Sequence, residues 1–279
     1  MLKKAFEIVR YTVNRLGEER GAQAAASMAY YGFFSLFPLL LVLVVVASSI
    51  FQEPLAQGEV LGFLIDLVPV SGEFIAKNIE QVLEARGSVG ALALVGLMWA
   101  GSGIFSILAR NINRAWPDTD DHAFIYRRFI ALVILIVLVL LLITLIVLKN
   151  VLPLVVNGWS EIDALINRFQ FFSSFLIGTI LFVALLILYR WIPKRRVTLH
   201  QGIGGALFAS VTIGIATRGF GWYLKSGLAR YNLVYGSLWT VAALLFWIYL
   251  CSYLVIIGTH VSASIAYFRD EQMDQDPSR

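Results

Sequence analysis

A few side chains in this sequence carry chemistry that does not suit their neighbours. Ser27, Tyr31, Ser35 and Pro38 recur every three or four residues at the start of a long apolar run. At about 100° per residue they share one side of a helix. A second set, Trp99, Ser102, Ser106, Arg110 and Asn113, forms another helical stripe. Such sides can do one of two things: line a wall that hydrogen-bonds a solute, or bond neighbouring helices around a kink at Pro38, where the Phe34 carbonyl loses its donor. Arg218 lies inside an apolar run, where an arginine costs several kcal/mol unless it has a reason to be there. It either snorkels to an interface or faces a polar cavity, pairing with a carboxylate or an anionic group. Asp66, in the short apolar stretch Val60 to Pro69, is the candidate partner, and the two charges are expected to meet near the outer leaflet. His260, beside Thr259 near the end of the last apolar run, is a candidate proton-handling group or a satisfied interface residue.

Catalytic constellations are missing. There is no phosphate-cradling G-x-x-x-x-G-K-S/T loop, no H-E-x-x-H, no C-x-x-C and no G-x-S-x-G. His122, His200 and His260 fall in different segments and form no metal-ligand set. The reading is therefore a non-enzyme with no metal and no cofactor. Cys251, the single cysteine, can close no intrachain disulfide.

The elements that must position these residues are membrane spans. The chain is 279 residues, 59% hydrophobic and 14% charged, with a mean hydropathy of +0.78. Soluble domains carry about 25% charged residues. Six apolar runs, at about 25–50, 88–109, 128–149, 170–191, 201–224 and 236–267, reach the roughly 20 residues a helix needs to cross. The first begins too late and runs too long for a cleaved signal. Lysine and arginine cluster in alternate connections: Lys3, Lys4, Arg10, Arg15 and Arg20; then Arg110, Arg114, Arg127 and Arg128; then Arg190, Lys194, Arg195 and Arg196. That alternation predicts two cytoplasmic termini. It also explains the net charge of +4 without a nucleic-acid partner.

The expected fold is all-α: a single polytopic membrane domain over 1–279, with six transmembrane helices and short amphipathic interfacial ones. Leu2, Ala5, Phe6, Val9, Val13 and Leu16 recur at helical spacing between charges, predicting an amphipathic cytoplasmic segment over 1–20, a helix on the cytoplasmic membrane surface. A second such helix is expected outside, from Ser71 to Gly87. Ala22, Ala25, Ala29 and Gly32 form a small-residue side on the first span, and Gly202, Gly205, Ala209, Thr212 and Ala216 form one on the fifth. Small residues let helix backbones approach closely. Residues 268–279 read as a cytoplasmic tail.

Three stretches carry a family resemblance: "AASMAYYGFFSLFPLLL", "GSVGALALVGLMWAGSGIFSILARNINRAW", and "YNLVYGSLWTVAALLFWIYLCSYLVIIGTHVSASI". With them, nearly the whole chain resembles the YihY/virulence factor BrkB family of bacterial inner-membrane proteins. The resemblance implies six spans in the cytoplasmic membrane. Family members have been linked to virulence, to transport of lipids or ions, and to an old ribonuclease BN label. No catalytic residues carry over, and nothing in these residues supports the nuclease label. Endings of this type usually carry an acidic residue where this chain has His260, which removes the ground for a carboxylate-based proton role there. The expected function is a secondary transporter or lipid-translocating protein whose partners are membrane lipids and an anionic lipid or ion. The alternative is a membrane scaffold or envelope assembly factor.

Overall fold

The N-terminal 17 residues alternate charged and apolar positions at helical spacing, and they fold as α1, Leu2–Glu18. In a computed structural model of the chain, the residues described are 2–50, 96, 99–100, 102–116, 126, 129, 133, 178–195, 197–226 and 237–275. Five more helices follow: α2 at Gly21–Ile50, α3 at Gly103–Arg114, α4 at Gly178–Trp191, α5 at Leu199–Lys225 and α6 at Ser237–Gln275. Among the described residues every regular element is a helix. Two stretches, Leu199–Leu224 in α5 and Leu238–Asp270 in α6, are long and apolar enough to cross a membrane.

The break between α1 and α2 is local. Glu19 N–H still bonds the Arg15 carbonyl, and Arg20 N–H bonds that of Gly17. Arg20 then takes φ 53°, the left-handed conformation in which many helices end. Gly21 restarts the chain as α2, where a Cβ would meet the Leu16 side chain at 2.9 Å from its Cγ. Pro38 lies within α2 rather than ending it. At the other end of the chain, Thr198 N–H donates to Gln201 Oε1 at 2.8 Å, tying off the start of α5.

α6 is the axis of the bundle and packs against α1, α2, α3 and α5. Its closest neighbour is α5. A Cβ on Gly258 would lie 2.9 Å from the Gly205 carbonyl oxygen and 2.7 Å from Ala209 Cβ. The Ser262 hydroxyl donates to the Gln201 carbonyl at 2.9 Å. Further along, Phe220 stacks on Trp247 with ring centroids 5.5 Å apart. These pairs run in opposite order, so α5 and α6 are antiparallel and approach by backbone where both are small. Gly202, Gly205 and Ala209 are buried, while Thr212 and Ala216 are half-buried.

α2 also lies antiparallel to α6. Ala25 shares a buried cluster with Ile256, Gly32 presses on Ile248 and Ile104, and Leu36 reaches Leu244 and Ala243. Apolar clusters form at both ends of this contact. One joins α2, α3, α4, α5 and α6 around Ala25, Ala109, Tyr189, Ala209 and Ile256. The other joins Phe220, Ala243, Leu244 and Trp247 at the opposite end.

Of the expected spans, the first, fifth and sixth lie within α2, α5 and α6. The second ends as α3, which stays helical past residue 109 to Arg114. The fourth is described over Gly178–Trp191, and the third at only three positions. The outer segment from Ser71 to Gly87 lies outside the described residues.

Candidate functional site

One end of the bundle collects most of the described buried polar side chains. The far end of α6, "GTHVSASIA" (Gly258 to Ala266), is surrounded: Thr259, His260, Ser262 and Ser264 are all buried. Ser264 Oγ donates to the His260 carbonyl at 2.7 Å and lies 2.8 Å from Thr12 Oγ1. A hydroxyl has one proton to give, so Thr12 is the donor in that second bond. α1 is thereby pinned to α6. Tyr11 extends the contact by stacking on Tyr267 at 4.8 Å and meeting Phe268 edge-on. Burial pushes the Tyr11 phenol above its ordinary pKa; the Arg15 charge pulls it back, and Tyr267 and Glu18 push it further up.

Arg15, one turn past Thr12, lies within electrostatic reach of His260. Its two terminal nitrogens face Glu18 at 3.4 Å and Glu19 at 3.8 Å, while its Nε is buried without an acceptor. α3 brings Asn113, whose Oδ1 accepts from the Lys194 backbone N–H at 3.1 Å. Ala115 and Trp116 pack on Val197, Ala263 and Ala266. Arg195 pairs with Asp270 across the exposed rim. Arg15, Arg110, Arg114, Arg190, Lys194 and Arg195 thus gather at the end where α1, the end of α3, the α4–α5 connection and the end of α6 meet.

Among the described residues, Arg15 Nε, Arg110 Nε, Asn111 Nδ2 and Thr259 Oγ1 are buried here with no hydrogen-bond partner. A buried polar group left unpaired costs roughly 1–3 kcal/mol, and more when it is charged. A native chain carries few of them, and each needs an explanation.

The hydroxyls of the first two stripes are placed differently. Ser27 Oγ donates to its own helix, at the Ala24 carbonyl, 2.7 Å away. Ser35 is buried beside the small-residue side and makes a long 3.4 Å contact to the Ala100 carbonyl. Ser102 is fully buried and donates to the Trp99 carbonyl at 2.8 Å. Ser106 is buried, and Pro38 is half-buried. Tyr31 and Trp99 are exposed on the outside of their helices. Ala25, Ala29 and Gly32 are buried while Ala22 is exposed. The side opposite the small residues therefore divides: Ser35 joins the packed arc, and Tyr31 points away from it.

Arg218 is exposed on α5, between Ile215 and Trp222, which are exposed too. The apolar stretch Leu199–Leu224 is 26 residues long, about 39 Å at 1.5 Å per residue. Centred on a hydrocarbon layer of about 30 Å, it overhangs by about 4–5 Å at each end. Arg218 is six residues from Leu224, about 9 Å from that end and so about 4–5 Å inside the layer. An arginine stem covers that distance. Asp66 lies outside the described residues, so the expected pair with Arg218 has only one member in view. Among the described residues no group of three histidine, cysteine or acidic side chains could hold a metal.

The Thr12, Gln201, Ser262 and Ser264 bonds were not singled out by sequence. Their signal was present as the hydroxyl run "THVSAS" in an otherwise apolar helix.

The chain is similar to known bacterial membrane proteins. Residues 12–279 match the family described as virulence factor BrkB. The chain is 27% identical over 268 residues to a "UPF0761 membrane protein" of Vibrio parahaemolyticus, covering 95% of this chain and 84% of the relative. It is 25% identical over 289 residues to the ribonuclease-like protein YfkH of Bacillus subtilis, covering 99% and 98%. No solved structure matches.

Proposed function

The chain belongs to the virulence factor BrkB family, and from that premise we propose that this membrane protein works as a secondary transporter or lipid-translocating protein, not as an enzyme. In this reading it crosses the bacterial cytoplasmic membrane six times, with both termini inside. The gathering of basic side chains at the end shared by α1 and the last turns of α6 supports that orientation.

The observation that carries the reading is the set of unanswered donors. Arg110 Nε and Asn111 Nδ2 are buried with no acceptor among the described residues at one end of the bundle. At the other end Arg218 stands exposed near the hydrocarbon boundary, with no carboxylate paired to it among the described residues. Guanidinium and amide donors match phosphate or carboxylate oxygens. An anionic lipid headgroup or a small anion satisfies both places. The chain has no nucleotide-binding motif, so the driving force is a gradient, a partner, or downhill movement of the substrate itself.

One observation favours the second reading, a scaffold or assembly factor. Ser262 and Tyr189 spend their hydroxyls on carbonyls of neighbouring helices, and Ser27 and Ser102 spend theirs on carbonyls three residues back. The first two bonds hold helices together, and none of the four donors is left for a solute.

Reconstitution distinguishes the two. Purified protein in vesicles is assayed for transbilayer movement of fluorescent phosphatidylglycerol and for anion flux, beside Arg110→Ala and Arg218→Ala. The transporter reading expects activity above protein-free vesicles and a clear loss in at least one variant. Activity at the protein-free level in the parent protein sinks transport and leaves the scaffold.

A further inference from the structure

α1 is amphipathic, yet it docks with the wrong side for a water-soluble helix. It is tied to α6 by Tyr11 and Thr12, and Leu16 at the border of that side packs against the buried cluster that α6 shares. Its apolar stripe points away: Phe6 is 68% exposed, Val9 59% and Val13 60%. Exposed Arg10, Glu7 and Asn14 lie on the remaining arc, next to Phe6. The helix is therefore divided into three sectors, one for protein, one apolar and one polar. We propose that the apolar sector is seated in the bilayer, at the boundary between acyl chains and headgroups, with Arg10 on the phosphates of anionic lipids.

Depth fixes the occupant. α5 begins at Leu199, just after the charged Lys194 and Arg195, and its first turn crosses one edge of the hydrocarbon. Ser262 of α6 is level with Gln201 through their hydrogen bond. Two residues further along α6, Ser264 accepts Thr12. The middle of α1 therefore lies at the hydrocarbon edge, where water cannot cover three large apolar side chains and lipid can. An apolar face with charged residues beside it is the arrangement that holds a helix in the interfacial layer. Its sequence adds Lys3 and Lys4 to Arg10, and basic residues near the surface draw anionic lipid.

The seat has a structural consequence. The same helix that lies in lipid also carries Thr12, which is bonded to the buried Ser264. α1 thus fastens the buried polar end of α6 to the membrane surface.

Site-directed spin labels test this on the full chain. Cys251, the only cysteine, is replaced by serine, and single cysteines are placed at Val9, Val13 and Asn14. The labelled protein is reconstituted in phosphatidylcholine vesicles with and without phosphatidylglycerol. Labels at Val9 and Val13 are expected to be accessible to oxygen and shielded from a water-soluble nickel chelate, with the reverse at Asn14. Nickel access at Val9 and Val13 equal to that at Asn14 overturns the lipid seat in favour of water. Shielding from both reagents overturns it in favour of a protein neighbour, such as a second copy. In the Val9→Cys background, Arg10→Glu is expected to reduce immersion in vesicles containing phosphatidylglycerol and not in pure phosphatidylcholine. Equal immersion in both overturns the assignment of Arg10 to anionic headgroups.

Discussion

The Tyr189 hydroxyl sits where a side chain on Gly258 would begin: a Cβ built there would lie 2.7 Å from the phenol oxygen. That hydroxyl also donates to the Val255 carbonyl at 2.7 Å. A glycine on α6, a tyrosine on α4 and the Gly205 backbone on α5 thus share one small volume.

Gly258→Ala is therefore expected to destabilise the protein by about 1–3 kcal/mol, the usual effect of overfilling a packed site. Tyr189→Phe removes one of the clashing atoms and should recover part of the loss. A thermal unfolding cycle in detergent over both single variants and the double reads the coupling, expected at about 0.5 kcal/mol or more. Strict additivity would mean the two sites do not compete for space.

Thr12 and Ser264 should respond unequally. Thr12→Val removes a donor while Ser264 keeps its own bond to the His260 carbonyl. Ser264→Ala strands the Thr12 donor in a buried place. The first should cost about 1 kcal/mol and the second about 1–3 kcal/mol. Proteolysis or hydrogen exchange confined to α1 measures both, because the bond pins only that helix.

Arg20 holds φ 53° with a side chain attached. Left-handed backbone costs an ordinary residue about 1–2 kcal/mol. Arg20→Gly should leave the melting temperature unchanged or raise it, and Arg20→Val should lower it. A fall with glycine would show that the Arg20 charge matters more than its backbone.

The Arg195–Asp270 pair is partly exposed on both sides. Its removal by Arg195→Gln should change stability by less than about 1 kcal/mol, and added salt should narrow the difference further. A larger loss, measured against the parent protein at low salt, would make this rim contact structural.

What the sequence disclosed depended on how far each signal reaches. Gly202, Gly205 and Ala209 could be read as a packing side because small residues at helical spacing have few other uses in a membrane helix. The partner could not be read, since spacing names a face and not what meets it. Ser35 shows the limit of the helical wheel. Its angle groups it with Tyr31, but the packed arc of α2 is wide enough to include Ser35 and leave Tyr31 outside. The Thr12–Ser264 bond joins residues 252 positions apart, and no local pattern announces such a pair. The exposed stripe of α1 was legible as amphipathic. That the Tyr11 and Thr12 side would dock and the apolar stripe stay exposed was not, because docking is decided by α6.

The central place of α6 bears on how the protein is made. Its partners include α1, α2 and α3, all of which emerge from the ribosome long before it does. Until α6 arrives, Gly32, Thr12 and Ala25 have no α6 to meet. The early helices must wait in the membrane with their packing sides open, where insertion machinery or neighbouring lipid shields them. A ribosome halted before Ser237 would leave a set of helices without an axis, a natural substrate for membrane quality control.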